Sequence, residues 1–315
     1  MNRETLFNIL KYNIRDMSLD ELVGQFITKT QAIEEFYLLC NDVSAGSKIS
    51  LLFNPHRLTT DTEKDDLSVY ESFQFDDKLS GLARLYLYNL EHNVKNSFFQ
   101  AIQRGYNNIQ YVNEFPPIVA RTIYKRYCNK SFNILDPCAG WGGRMIGCAS
   151  IPNATYTAFE PSTQTYNGLQ KLGEWLTVMQ PNFKYKVYHL PYEDKPYLDS
   201  KFDMALTSPP YYNTEHYSDE ETNSLNRYNT FESWVDNFYT NLILTTLDLV
   251  KDDGVFILNV GSRKYPLEET LYKICADNNI YCEQITDYLS GHGEGREKFF
   301  CLSKEKKSVT KTRLF

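Results

Sequence analysis

The stretch Phe132–Gly147, FNILDPCAGWGGRMIG, decides how this chain folds. An apolar run ends in an acid at Asp136, Pro137 breaks it, and glycines follow at Gly140, Gly142, Gly143 and Gly147. That order describes a buried strand turning through a glycine loop into a helix, the way an open α/β sheet begins a cofactor site. A Gly-x-Gly alone is weak, so its neighbours matter. The next apolar segment, Thr155–Pro161 (TYTAFEP), ends in Glu160, eighteen residues after Gly142. A ribose-binding carboxylate in such folds stands about 20 residues beyond the loop. Two strands ending in acids at one sheet edge are therefore expected.

Outward from this centre, strand and helix patterns alternate from Phe115 onward, which predicts a mainly parallel sheet covered on both faces. Phe115–Ala120 (FPPIVA) leads into a helix reaching Tyr127, and Ser162 can cap a helix with Leu169, Leu172, Leu176 and Met179 on one face. Strands follow near Tyr185–His189, Phe202–Thr207 and Val255–Val260. The stripe Phe231, Trp234, Phe238, Leu242 and Leu249 reads as the core face of a helix, and Pro266 as a first-turn residue of another. Tyr281–Tyr288 and Lys298–Leu302 suggest a closing hairpin, whose glycine-rich turn carries His292 and Arg296 within reach of a phosphate backbone.

Residues 1–110 read as a helical N-terminal region. Leu6, Ile9, Leu10 and Ile14 recur at helical spacing, Ser18 to Glu21 is a capping box, and a further helix spans about Leu82–Gln103. Between them, Ser44–Lys78 is polar and turn-rich, so an irregular piece is expected there. Target recognition and capping of the α/β core both stay open for this region. The expected division is residues 1–110, an α/β domain over 111–303, and a basic tail over 304–315.

Composition sets limits. With 315 residues, 42% hydrophobic and 15% aromatic, the chain can bury one large core and a smaller one. A formal charge of −7 excludes a protein basic all over, but a local basic cleft would suffice for nucleic acid. Seven cysteines form no Cys-x-x-Cys pair and no His stands at metal-ligand spacing, so no metal site and no disulfide framework are expected. Reduced thiols, no early apolar run of about 18 residues and no signal-peptide pattern point to a cytoplasmic protein without a membrane partner.

The chemistry rests on Leu206–Tyr212, LTSPPYY, delivered by the strand Phe202–Thr207 to the edge that holds the glycine loop. Prolines fix φ and remove backbone donors, so the Pro209 carbonyl can face a ligand beside the hydroxyl of Ser208. These two acceptors, with Pro210 shaping the turn and Tyr211 stacking on a ring, would hold an amino group and leave its nitrogen lone pair free to attack a methyl donor. A nicotinamide cofactor fits poorly, because Asp136 would repel its pyrophosphate; S-adenosylmethionine has a ribose, an amino acid end and no phosphate. The polar loop 213–229 then reads as a lid over a flipped base, with His216, Tyr217, Arg227 and Tyr228 as nucleic-acid contacts beside Tyr212.

Asp-Pro-x-x-Gly-x-Gly followed by Thr-Ser-Pro-Pro-Tyr resembles the S-adenosylmethionine-dependent DNA amino-methyltransferases, over roughly residues 115–303. The resemblance implies a Rossmann-like methyltransferase sheet, mainly parallel with a C-terminal antiparallel hairpin. It implies that Asp136, Gly140 and Gly142 shape the methionine end of the cofactor site and that Glu160 holds the ribose. Pro137, Cys138, Pro161 and Thr207 complete that site, Phe115 sits in a cofactor-wall segment, and Glu193 or Asp194 meets the adenine. Ser208 to Tyr211 would hold the target base. Ser before Pro-Pro-Tyr favours the N4 of cytosine, whereas the segment order keeps the N6 of adenine open. Cys138 lies in the cofactor loop and reads as a small loop residue, not as a nucleophile. The alternatives are an RNA amino-methyltransferase and a catalytically silent DNA-binding or partner subunit.

Overall fold

The computed structural model describes residues 2–62, 67–128, 132–199, 201–261, 264–285 and 298–305. Its strands are β1 (Asp61–Thr62), β2 (Asn133–Asp136), β3 (Thr155–Phe159), β4 (Lys184–Tyr188), β5 (Phe202–Thr207), β6 (Glu215–His216), β7 (Val250–Val260), β8 (Tyr281–Gln284) and β9 (Lys298–Ser303). Seven of them form one sheet in the order β4-β3-β2-β5-β7-β9-β8. The first five in that order pair in parallel, and β9 runs antiparallel between β7 and β8. The expected α/β, mainly parallel, Rossmann-like sheet with a C-terminal antiparallel pair is what the chain forms. β2 has β3 on one side and β5 on the other, so the winding reverses at β2. Open α/β sheets bind ligands at the carboxyl edge of such a reversal.

Both faces of the sheet are buried, and the side-chain alternation shows how. Val255, Ile257, Phe299 and Cys301 enter one core, while Phe256, Leu258, Val260, Phe300 and Leu302 enter the other. The second core is closed by the helical run from Phe231 to Leu249 and by Leu267–Asp277. The first is closed by helices Pro117–Tyr127, Gly143–Ala149 and Thr163–Met179 and continues without a break into Leu6, Leu22, Phe36, Leu51 and Leu82. Residues 1–110 thus share one core with a sheet face.

Some boundaries differ from the sequence expectation, each for a local reason. The helix expected over Leu82–Gln103 is two, Asp76–Glu91 and Ser97–Gln103, parted where Asn93 and Asn96 take φ of 52° and 53°. Asparagine tolerates that left-handed conformation, which ends a helix. β7 starts at Val250 because the exposed Lys251, Asp252 and Asp253 hide a strand that pairs as Phe202↔Val250. Pro266 precedes its helix, which runs Leu267–Asp277, instead of sitting in the first turn. The loop 213–229 contains β6 and the short helix Ser224–Arg227, and β6 pairs with β1 of the N-terminal region. The turn with His292 and Arg296, and the tail beyond residue 305, lie outside the described residues. Among the described residues no helix is long and apolar enough to cross a membrane, and no cluster of His, Cys, Asp or Glu could hold a metal ion.

Candidate active site

A cavity of about 540 Å³ opens at the carboxyl edge of β2, β3 and β5. Pockets of about 300–1,000 Å³ hold cofactor-sized ligands. The glycine loop makes one wall. Gly140 and Gly142 have φ of 55° and 98°, and a Cβ at Gly142 would lie 2.5 Å from Leu172 Cδ2. At Gly143 a Cβ would lie 2.1 Å from the carbonyl oxygen of Phe115, so this backbone approach exists only with glycine.

Asp136 acts on the glycine loop from within the core. It is fully buried and accepts from Arg144 Nε at 2.7 Å, Tyr156 OH at 2.5 Å, Thr207 Oγ1 at 2.8 Å and the Cys138 amide at 3.2 Å. Four donors engage its carboxylate, and neither Asp136 nor Thr207 lines the cavity. Their part is to fix the loop: Thr207 Oγ1 also accepts from the Cys138 amide at 3.2 Å, and Arg144 donates to the Cys138 carbonyl. Phe115, Pro137, Cys138, Gly140 and Pro161 do line it, as does Arg144. Burial drives the Cys138 thiol well above its ordinary pKa, so it stays protonated and unreactive.

Glu160 sits where β3 ends and faces the cavity. Its two oxygens accept from the Gly140 amide at 3.2 Å and the Ser162 amide at 2.9 Å. Burial pushes its pKa up to about 8. An acid with two amide donors and lone pairs to spare suits two vicinal hydroxyls. Glu193, in the turn after β4, accepts at Oε1 from Tyr228 OH at 3.0 Å and pairs with Arg227 at 3.2 Å. Its Oε2 is buried without a partner, and burial raises its pKa. Of the two acids expected near the adenine, the cavity receives Glu193; Asp194 pairs with Arg227 at 2.9 Å.

Across the cavity stand Ser208, Pro209, Pro210 and Tyr211. Their arrangement depends on Asn259, a buried amide on β7 with no local motif to mark it. Asn259 Oδ1 accepts from Ser208 Oγ at 3.0 Å and from Tyr211 OH at 2.9 Å, and its Nδ2 donates to the Lys298 carbonyl at 3.3 Å. With the Ser208 proton aimed at Asn259, the oxygen lone pairs are left as acceptors for a ligand. The only sequence signal for Asn259 was a single amide inside an apolar strand.

The expected nucleic-acid contacts separate. Tyr217 lines the cavity and faces Trp141 at 6.1 Å. Arg227 and Tyr228 are engaged with Glu193 and Asp194 instead of presenting a phosphate site. Tyr212 takes a left-handed φ of 56° and packs against Phe231, Trp234 and Tyr265, away from the cavity lining. The backbone of His216 pairs with Asp61. His292 and Arg296 lie outside the described residues.

No family model matches the chain, and no curated protein matches it in sequence. Solved structures do align. A methyltransferase from Pyrococcus furiosus is 14% identical, with 68% of this chain and 98% of that one covered and a TM-score of 0.44. The glycopeptide N-methyltransferase MtfA in complex with S-adenosyl-L-methionine is 12% identical, over 59% and 92% of the two chains, with a TM-score of 0.42. A putative rRNA-methylase from Clostridium thermocellum is 10% identical, over 60% and 95%, with a TM-score of 0.40. Likeness at this level says nothing of chemistry, which has to come from the cavity.

Proposed function

We propose that this protein is an S-adenosylmethionine-dependent methyltransferase that modifies the exocyclic amino group of a base flipped out of DNA. The observation that carries the reading is that one cavity joins the Ser208–Tyr211–Asn259 acceptor cluster to the glycine loop, Glu160 and Glu193. The cofactor residues fit its chemistry: Glu160 offers lone pairs to the ribose hydroxyls, and the unpartnered Oε2 of Glu193 awaits the adenine amino group. When bound, S-adenosylmethionine supplies an electrophilic methyl group.

The chain's own residues then do the positioning. Ser208 Oγ, its O–H directed to Asn259 Oδ1, and the Pro209 carbonyl accept the two amino hydrogens. That leaves the nitrogen lone pair directed out of the base plane. Tyr211, tied to Asn259 through its hydroxyl, presents its ring to the base. Holding the reactants about 3–3.5 Å apart and aligned contributes more here than acid or base help. The nitrogen loses its proton once its bond to carbon is forming, so no strong general base is required.

Ser208 favours N4 of cytosine, with N6 of adenine as the second base. The direct experiment supplies labelled S-adenosylmethionine with DNA and RNA pools and identifies the modified nucleosides by mass spectrometry. N4-methylcytosine or N6-methyladenine in DNA is expected. Label only in RNA would move the substrate to the alternative polymer, and label in neither would overturn the reading.

A further inference from the structure

Glu114 is the third acid that lines the cavity, beside Glu160 and Glu193. It immediately precedes Phe115, and its side chain is 3% exposed. Oε2 accepts from Arg57 Nη1 at 2.7 Å and from Ser50 Oγ at 2.5 Å, while Arg57 Nη2 donates to Tyr111 OH at 2.6 Å. Arg57 itself is 1% exposed. The other oxygen, Oε1, is buried and has no partner. A buried carboxylate oxygen left unpaired is costly, and native structures satisfy such atoms.

Its position says what would satisfy it. Along the sheet edge β4-β3-β2, Glu193 follows β4, Glu160 ends β3, and the glycine loop follows β2. A cofactor with its adenine at Glu193 and ribose at Glu160 therefore lays its amino acid end against the glycine loop. Glu114 Oε1 is there: a Cβ at Gly143 would stand 2.9 Å from it. Asp136, where that loop begins, already has four donors.

We infer that Glu114 binds the α-ammonium of the cofactor through Oε1, and that Arg57 is a positioning residue that holds Glu114 from the other oxygen. This rests on the S-adenosylmethionine reading and deepens it. It also gives part of the N-terminal region a place in the cofactor site, since Ser50 and Arg57 come from its irregular segment and Asn54 Nδ2 donates to the Trp141 carbonyl at 3.1 Å.

The test is calorimetric titration of wild type and Glu114→Gln with S-adenosylhomocysteine, its deaminated analogue and 5′-methylthioadenosine. Wild type should bind S-adenosylhomocysteine about 10- to 100-fold more tightly than the deaminated analogue, the range of a charged hydrogen bond. Glu114→Gln should close most of that gap and leave 5′-methylthioadenosine within about twofold, which also shows that the variant is folded. Equal wild-type affinity for the first two ligands would overturn the inference without any variant. So would a gap that persists in Glu114→Gln. Wild type binding none of the three would remove the cofactor reading and this inference together.

Discussion

Cofactor affinity should rise steeply with pH through neutrality, and Glu160 is the reason. Without a ligand, burial holds its pKa at about 8, so at pH 7 most molecules carry a protonated carboxyl. Two ribose hydroxyls donating to that group favour the ionised form, so binding must expel a proton wherever the free site holds one. With a free-site pKa of about 8, the ionised fraction is about 0.01 at pH 6 and about 0.5 at pH 8, an affinity gain of about 50-fold. The sign is fixed: affinity climbs with pH and levels off above the free-site pKa.

S-adenosylhomocysteine is a suitable ligand because its own amino acid groups do not titrate between pH 6 and 8. Calorimetry at pH 7 in buffers of different ionisation enthalpy should find about 0.9 proton released per ligand at Glu160. Glu114 and Glu193, whose pKa values burial also raises, add slope in the same direction. The diagnostic quantity is therefore the difference between wild type and Glu160→Gln. That variant should bind more weakly at pH 8 and lose most of the pH dependence. A flat wild-type profile, or an equal slope in Glu160→Gln, would mean that Glu160 does not hold the ligand as a carboxylate. The same group sets a stability trend in the empty protein. Its folded pKa lies above the unfolded value of 4.5, so the folded state holds a proton that the unfolded state has lost. Stability falls by up to about 1.4 kcal/mol per pH unit from about pH 4.5 to about 8 and is level above.

Asn259→Ala removes the shared acceptor of Ser208 and Tyr211 and should slow single-turnover methyl transfer by about 10²-fold, with cofactor affinity unchanged in titration. Wild-type turnover would show that the base-holding cluster is misassigned. Gly143→Ala drives a Cβ to 2.1 Å from a backbone oxygen and should destabilise by at least about 1–3 kcal/mol in urea unfolding, with loss of cofactor binding. Unaltered affinity would mean that the loop approach is not needed. Arg57→Met leaves Glu114 buried without its cation and should cost about 3–5 kcal/mol in the same assay. A change below about 1 kcal/mol would show that the pair is dispensable.

Strands β2 and β5 were legible to within a residue or so because strands buried on both faces of a parallel sheet are short apolar runs bounded by turn residues. The start of β7 was not, since Lys251, Asp252 and Asp253 carry no apolar period. In the site, Glu160, Ser208 and Tyr211 could be read because each stands at the end of a recognisable strand. Glu114 and Asn259 could not: the partners that give them meaning, Arg57 and Tyr211, lie 57 and 48 residues away, and no local spacing encodes such a pair.

Distance in sequence also explains the residues that were read too generously. Arg227 and Tyr228 look like free contact groups on a polar loop, yet Asp194 and Glu193 stand 33 and 35 residues upstream and take them up. Arg144 in the glycine loop is likewise taken up by Asp136, and Arg57 by Glu114. The pattern has a functional consequence. Among the described residues lining the cavity, Arg144 is the one Lys or Arg, and it is already paired. The cavity thus presents neutral acceptors and carboxylates, as the proposed base and cofactor require, and offers little to a phosphate. Under the proposed function, phosphate contacts, which supply a large share of nucleic-acid affinity, come from outside the cavity.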